Sequence, residues 1–309
     1  MAFSVENWRR TLETDLAVVQ SFGAFSPGGR YLAAADASTI EVRDALAGAI
    51  VATVEMLGVT SLAVSPDGSL LVAADDDGLV GVWAISPLQS LWSARLELPP
   101  PAYAQVVYDV QFASNGLLAV ASKPAGVNNT LVEMWPLTTT HSERPHPAWQ
   151  SVMLNSDYAA FSPSPDGSRI ILVTEDGYWV MLPNHERLFI DGFFDSGENA
   201  VVGFSPDSTH AAGIEPEGGW IYEVATHAMR EIDDLGMLEE TSDVCWSPDG
   251  EMVLITSEDG LSICTRQPEG FAYQGVIDGS AGFEAAAFVD SSTVVAKRGD
   301  ALIVLQAAG

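Results

Sequence analysis

One phrase recurs along this chain and constrains its fold more than any other feature: a hydrophobic strand ending in a large residue, then Ser-Pro-Asp-Gly or a relic of it. The instances are anchored at Phe25, Val64, Phe112, Phe161, Phe204, Trp246 and Phe288, with Phe112-Ala-Ser-Asn-Gly and Phe288-Val-Asp-Ser-Ser the most eroded. Successive anchors lie 39, 48, 49, 43, 42 and 42 residues apart. That spacing is the roughly 40 to 45 residues of a four-stranded propeller blade.

The columns repeat as well as the spacing. Just before the anchors stand Ala24, Ala63, Gln111, Ala160, Gly203, Cys245 and Ala287, so all but one are small where the anchor is large. Such alternation predicts an innermost strand with one face crowded toward a channel and the other wedged against the next blade. After each turn comes a second apolar run, as in Ser69 to Ala74, Arg169 to Thr174 and Glu251 to Thr256. A tight acidic turn follows, Asp76-Asp77-Gly78, Glu175-Asp176-Gly177 or Glu258-Asp259-Gly260, and Asp-Gly between apolar runs is a strong hairpin signal. Third strands such as Leu79 to Trp83 and weaker outer strands at 49–54, 89–94 and 271–276 complete the unit.

The seventh repeat has three strands, at about 283–288, 293–298 and 301–306, and the sequence then ends at Gly309. An unassigned Trp-containing piece, Ala2 to Leu12, precedes the first anchor strand. We expect it to supply the missing outer strand and close the ring, which removes the exposed seam. The fold class is therefore all-β: a seven-bladed β-propeller spanning 1–309 as one domain, four antiparallel strands per blade, with six or eight blades as the alternative count.

These repeats resemble the tryptophan-aspartate (WD) repeat family of β-propellers over the whole chain, in the divergent form seen among bacterial propellers. The Trp-Asp pair is represented by Trp83-Ala84, Trp135-Pro136 and Arg43-Asp44, and no Gly-His pair opens a repeat. The resemblance implies the propeller fold and is specific for fold rather than for function.

Composition narrows the function. There are 13 Lys+Arg against 42 Asp+Glu, a net charge of -29, which disfavours nucleic acid and anionic membranes as partners. A salt-adapted surface would carry more than 18% charged residues. The N-terminal residues lack the apolar stretch of a secretory signal, and no run reaches the roughly 18 apolar residues of a membrane span. Cys245 and Cys264 fall on the first and third strands of one blade, too far apart for a disulfide, and suit a reducing cytoplasm.

No catalytic set, metal site or cofactor is expected. His141 and His146 flank Glu143 in a Pro-containing loop without metal-ligand spacing, and Asp75-Asp76-Asp77-Gly78 reads as a hairpin turn rather than a calcium loop. No Gly-x-Ser-x-Gly nucleophile signature is present. The alternative is a metal-dependent, lactonase-like hydrolase with an ion at the central channel. It would use Asp109 and Asp243 facing across the axis, with Asn199 and Glu284 nearby.

Charge placement points to a partner. Hairpins joining second and third strands share one face of a propeller with the links between blades. The hairpins contribute Asp36, Asp75, Asp76, Asp77, Glu175, Asp176, Glu215, Glu217, Glu258, Asp259 and Asp300. The links add Asp157, Asp191, Asp195, Glu198, Asp233, Asp234, Glu239, Glu240 and Asp278. Tyr103, after a proline-rich link, and Phe193-Phe194 are expected to place aromatic anchors among these acids, suited to Arg and Lys side chains. The expected function is a non-enzymatic scaffold binding a basic peptide or protein on an acidic face.

Overall fold

A computed structural model describes residues 5–16, 22–96, 105–114, 116–124, 129–137, 147–154, 158–174, 177–183, 186–190, 200–238 and 240–308. Its strands form seven four-stranded antiparallel sheets, each a blade, and six are consecutive in sequence. Blade 1 holds β2 (Phe22–Phe25), β3 (Tyr31–Ala35), β4 (Thr39–Asp44) and β5 (Ile50–Glu55). The same order repeats through blade 6, made of β22 (Asp243–Trp246), β23 (Met252–Ser257), β24 (Gly260–Gln267) and β25 (Gly270–Val276).

Blade 7 is assembled from both ends of the described chain. It holds β26 (Ala285–Asp290), β27 (Thr293–Arg298) and β28 (Ala301–Ala307), with β1 (Trp8–Asp15) added on the outside. Trp8 lies opposite Ala307 and Asp15 opposite Ala301 in the antiparallel register, so the N-terminal segment closes the ring as the repeat arithmetic requires. The strand begins and ends later than the 2–12 expected. Trp8 is 2% exposed and packs with Ile263, Phe288 and Leu305 between blades 6 and 7.

Seven apolar clusters hold the described residues together, one between each pair of neighbouring blades. Alternation along each strand feeds two of them. In the second strand of blade 1, Ala33 packs toward blade 2, whereas Leu32 and Ala34 pack toward blade 7. Second strands are therefore apolar on both faces, which is why they read as continuous hydrophobic runs. Anchors Val64, Phe112, Phe161, Phe204, Trp246 and Phe288 are buried, while the small residues Ala24, Ala63, Ala160 and Gly203 on the same innermost strands are only partly buried.

Where Ser-Pro-Asp is intact the recurrent phrase folds the same way, in four blades, on what we term the lower rim. Ser65, Ser164, Ser205 and Ser247 donate their hydroxyls to Asp67, Asp166, Asp207 and Asp249 at 2.7, 2.6, 2.7 and 2.6 Å. The same aspartates accept the backbone N–H of Ser69, Ser168, Thr209 and Glu251. Each serine oxygen also accepts an N–H from the strand that follows, such as Leu70 at 2.9 Å and Met252 at 2.9 Å. Gly68, Gly167 and Gly250 close these turns at φ of 70, 70 and 74°, a left-handed conformation glycine adopts without strain.

Candidate partner-binding face

The opposite, upper rim carries the hairpins between second and third strands and the links between blades. Among the expected residues, Asp76, Asp77, Glu217, Glu258, Asp259 and Asp300 are exposed there. The links add exposed Asp233, Asp234, Glu240 and Asp278. Asp77 pairs with Arg95 across a solvent-exposed 3.4 Å. Among the described residues no hydrogen bond or ion pair engages the carboxylates of Asp76, Glu217, Asp233, Asp234, Asp259, Asp278 or Asp300. They project a one-signed field from one side of the ring.

Two of the expected binding acids are instead internal. Asp75 is 7% exposed, and its Oδ1 accepts the N–H of Asp77 at 3.0 Å and of Leu79 at 2.7 Å, so it braces its hairpin. Glu215 is fully buried between blades 4 and 5 and accepts the hydroxyl of Tyr178. Desolvation raises the Glu215 carboxyl above its usual range, outweighing that hydrogen bond, and burial likewise raises the Tyr178 phenol. Neither acid is available to a partner. A carboxylate in a turn turns inward when backbone donors or a neighbouring hydroxyl offer better solvation than the exposed edge does.

Tyr103, Glu175, Asp176, Phe193 and Phe194 lie outside the described residues, as do Asn199 and the His141 to His146 loop. The described upper rim offers different apolar groups, Leu57 at 74% and Met237 at 82% exposure. Leu57 sits in the link before blade 2, beside Gly58 and the Asp76 carboxylate. Met237 precedes Leu238, whose N–H bonds the Pro216 carbonyl next to Glu217 at 2.9 Å. Large apolar residues inside short acidic links were the available signal, hidden because the Gly beside each reads simply as a turn.

The channel holds the two carboxylates expected to face each other. Asp109 accepts the Ser61 hydroxyl at 2.6 Å, the Val110 N–H at 2.8 Å and the Gln111 amide at 3.0 Å. Asp243 accepts the Val244 N–H at 2.8 Å. Desolvation first, with the charge of Asp109 adding to it, pushes the Asp243 carboxyl up to about 6. Glu284 is held elsewhere, on the ammonium of fully buried Lys297 and the N–H of Gly299. Among the described residues no three His, Cys, Asp or Glu side chains come together to hold a metal ion.

Cys245 borders the same wall and Cys264 is buried, both as free thiols, as their strand positions predict. Burial pushes the Cys264 thiol up to about 12 and raises Cys245 too, which leaves both unreactive. Among the described residues no helix is long and apolar enough to cross a membrane.

With this geometry in place, comparisons with known proteins agree on architecture. The family model described as WD domain, G-beta repeat, matches residues 54–84, the first three strands of blade 2 and the link before them. No curated protein matches the chain. Among solved structures, a chain of "Crystal Structure of Mitotic Checkpoint Complex" superimposes with a TM-score of 0.75 and 14% identity, covering 100% of this chain and 94% of that one. At that identity the likeness is one of fold. The strand order and the closed ring make this chain a seven-bladed β-propeller, and the repeat at 54–84 is similar to the WD-repeat model.

Proposed function

We propose that the upper rim captures a basic protein or peptide and that the propeller works as a non-enzymatic interaction platform. WD-repeat propellers commonly serve as protein-interaction scaffolds, and the acidic rim gives this one a preference by charge. One observation carries the reading: among the described residues the upper-rim carboxylates of Asp76, Glu217, Asp233, Asp234, Asp259, Asp278 and Asp300 have no hydrogen-bond or ion-pair partner, while those of the lower Ser-Pro-Asp turns are tied into their own backbone. A partner with Lys or Arg flanking an apolar residue would pair with these acids and cover Leu57 or Met237. The proposed setting is the cytoplasm, where both thiols stay reduced.

The test is charge reversal of Asp76, Asp259, Asp278 and Asp300 to Lys, read with a labelled peptide alternating Arg and Leu. Wild type should bind faster at low salt and lose affinity steeply as salt rises. The reversed protein should bind at least about tenfold more weakly, with a flattened salt dependence. Equal binding by both proteins would rule out this face.

A further inference from the structure

A second binding feature lies away from the upper rim, on the lower outer flank between blades 5 and 6. There the chain encloses a notch of about 170 Å3. Its chemistry runs against the rest of the molecule: of only 13 Lys+Arg in the sequence, Arg230 and Arg266 both line it, beside His210 and Phe271.

The notch is built and held. Its floor is Phe271, 3% exposed and edge-on to Trp246 at 5.4 Å between ring centroids. The link leaving blade 5 bridges in parallel to β25 at Asp233 and Ala272. The Asp233 N–H bonds the Phe271 carbonyl at 3.0 Å, and the Tyr273 N–H bonds the Asp233 carbonyl at 2.9 Å. Arg266 stacks over the Phe271 ring at 5.3 Å and has one loose carboxylate contact, Glu251 at 3.5 Å. Arg230 donates to the Glu269 carbonyl at 2.8 Å and has no carboxylate within ion-pair distance among the described residues. A guanidinium has five N–H donors, so most of its fork is uncommitted.

We propose that this notch binds a carboxylate from an acidic side chain of a partner peptide, gripped by Arg230 and Arg266 while the adjoining apolar stem lies along exposed Pro268. The paired fork geometry of guanidinium and carboxylate favours this ligand. Glu223 and Glu269 also line the notch, so its formal charges balance, and a singly charged carboxylate needs less compensating positive charge there than a dianionic phosphate would. The site is independent of the upper rim, and its salt response is opposite. A net charge of -29 repels an acidic peptide at long range, and salt screens that repulsion.

The probes are fluorescein-labelled, acetylated and amidated Leu-Glu-Phe-Glu-Leu, its Gln counterpart and its phosphoserine counterpart, titrated against the whole chain at low and moderate salt. The Glu peptide should bind, and more tightly at moderate salt. The Gln peptide, and the Glu peptide against Arg230→Gln, should bind about tenfold more weakly. Arg30→Gln, which alters a guanidinium lying over Tyr31 outside the notch, should bind as wild type does. Arg230 sits on an exposed outer strand, so its variant should melt with wild type, unlike Arg266→Gln, which also loses the ring contact. Absence of Glu-peptide binding, equal binding of the Gln peptide, or equal binding by Arg230→Gln would each overturn the proposal. Tighter binding of the phosphoserine peptide would overturn the assignment to a carboxylate.

Discussion

On the lower rim Asp67, Asp166, Asp207 and Asp249 each accept a serine hydroxyl and a backbone N–H, whereas on the upper rim Asp76, Asp259, Asp278 and Asp300 accept neither among the described residues. Both sets are short acids in tight turns of one repeat. They differ in what surrounds the carboxylate. A serine two residues earlier and a free N–H two residues later convert an aspartate into part of the turn, and a double acid before glycine leaves the outer one in water. The difference teaches that acid content alone does not mark a binding face; the acids left over after the turns are satisfied do.

The rule has an upper-rim exception, and it should give the largest stability effect. Glu284 binds the ammonium of Lys297, which is 0% exposed, at the seam where Lys297 also packs against Gly23 of blade 1. Glu284→Ala strands a buried cation. Breaking fully buried pairs costs about 3–5 kcal/mol, and because the Glu284 side chain is 50% exposed, water reaches the vacated space and brings the expected loss to about 2 kcal/mol. Asp300→Ala should stay within about 0.5 kcal/mol, as an unpartnered surface acid does. Denaturant melts that show both variants equally stable would erase the distinction between tied and free acids on this rim.

Acidity separates the two regions next. Burial acts to raise the lower-rim carboxyls, but their hydrogen bonds outweigh it and hold Asp67, Asp166, Asp207, Asp249 and Asp290 below the ordinary 3.8. Their contribution is therefore present above pH 3.8 and is lost as pH falls through the lowered values. Asp243 in the channel has the opposite sign. Raised from 3.8 to about 6, it contributes most below pH 3.8, and that contribution is lost as pH rises to about 6. Glu215 acts in the same direction. Wild type should thus lose stability between pH 4 and 6, and Asp243→Asn should remove about 1–2 kcal/mol of that loss, discounted for its partial exposure. An identical pH 4 to 6 slope in wild type and Asp243→Asn would show that the channel carboxyl is not desolvated.

Most of the architecture was legible because it depends on local, repeated signals. The Ser-Pro-Asp-Gly turns and the apolar second strands each carry their evidence within a dozen residues, and the Trp8 strand that closes blade 7 follows from counting strands per repeat. The direction a side chain takes was not legible. Asp75 and Asp76 are adjacent and chemically identical, yet one braces its hairpin and the other faces water. Glu215 is internal because Tyr178, on a strand of the preceding blade, meets it there. The notch likewise joins Arg230, Arg266 and His210 from three strands in two blades, a proximity that no single repeat contains.

The finest test concerns the Ser-Pro-Asp turn that lacks its glycine. Ser208 stands where Gly68, Gly167 and Gly250 stand elsewhere, and it holds the same left-handed backbone at φ 61°. That conformation costs a serine about 1 kcal/mol. Its hydroxyl, however, accepts the N–H of Asp166 at 3.0 Å, stitching the blade 5 turn to the blade 4 turn, a bond of about 1 kcal/mol. Ser208→Gly relieves the backbone and loses the stitch, so its melting point should barely move. Ser208→Ala keeps the strain and loses the bond, and should fall by about 1 kcal/mol. If Ser208→Gly instead stabilises the protein by the full backbone relief, the blade 4 and blade 5 turns are held by their own aspartates alone and are separate clamps rather than linked ones.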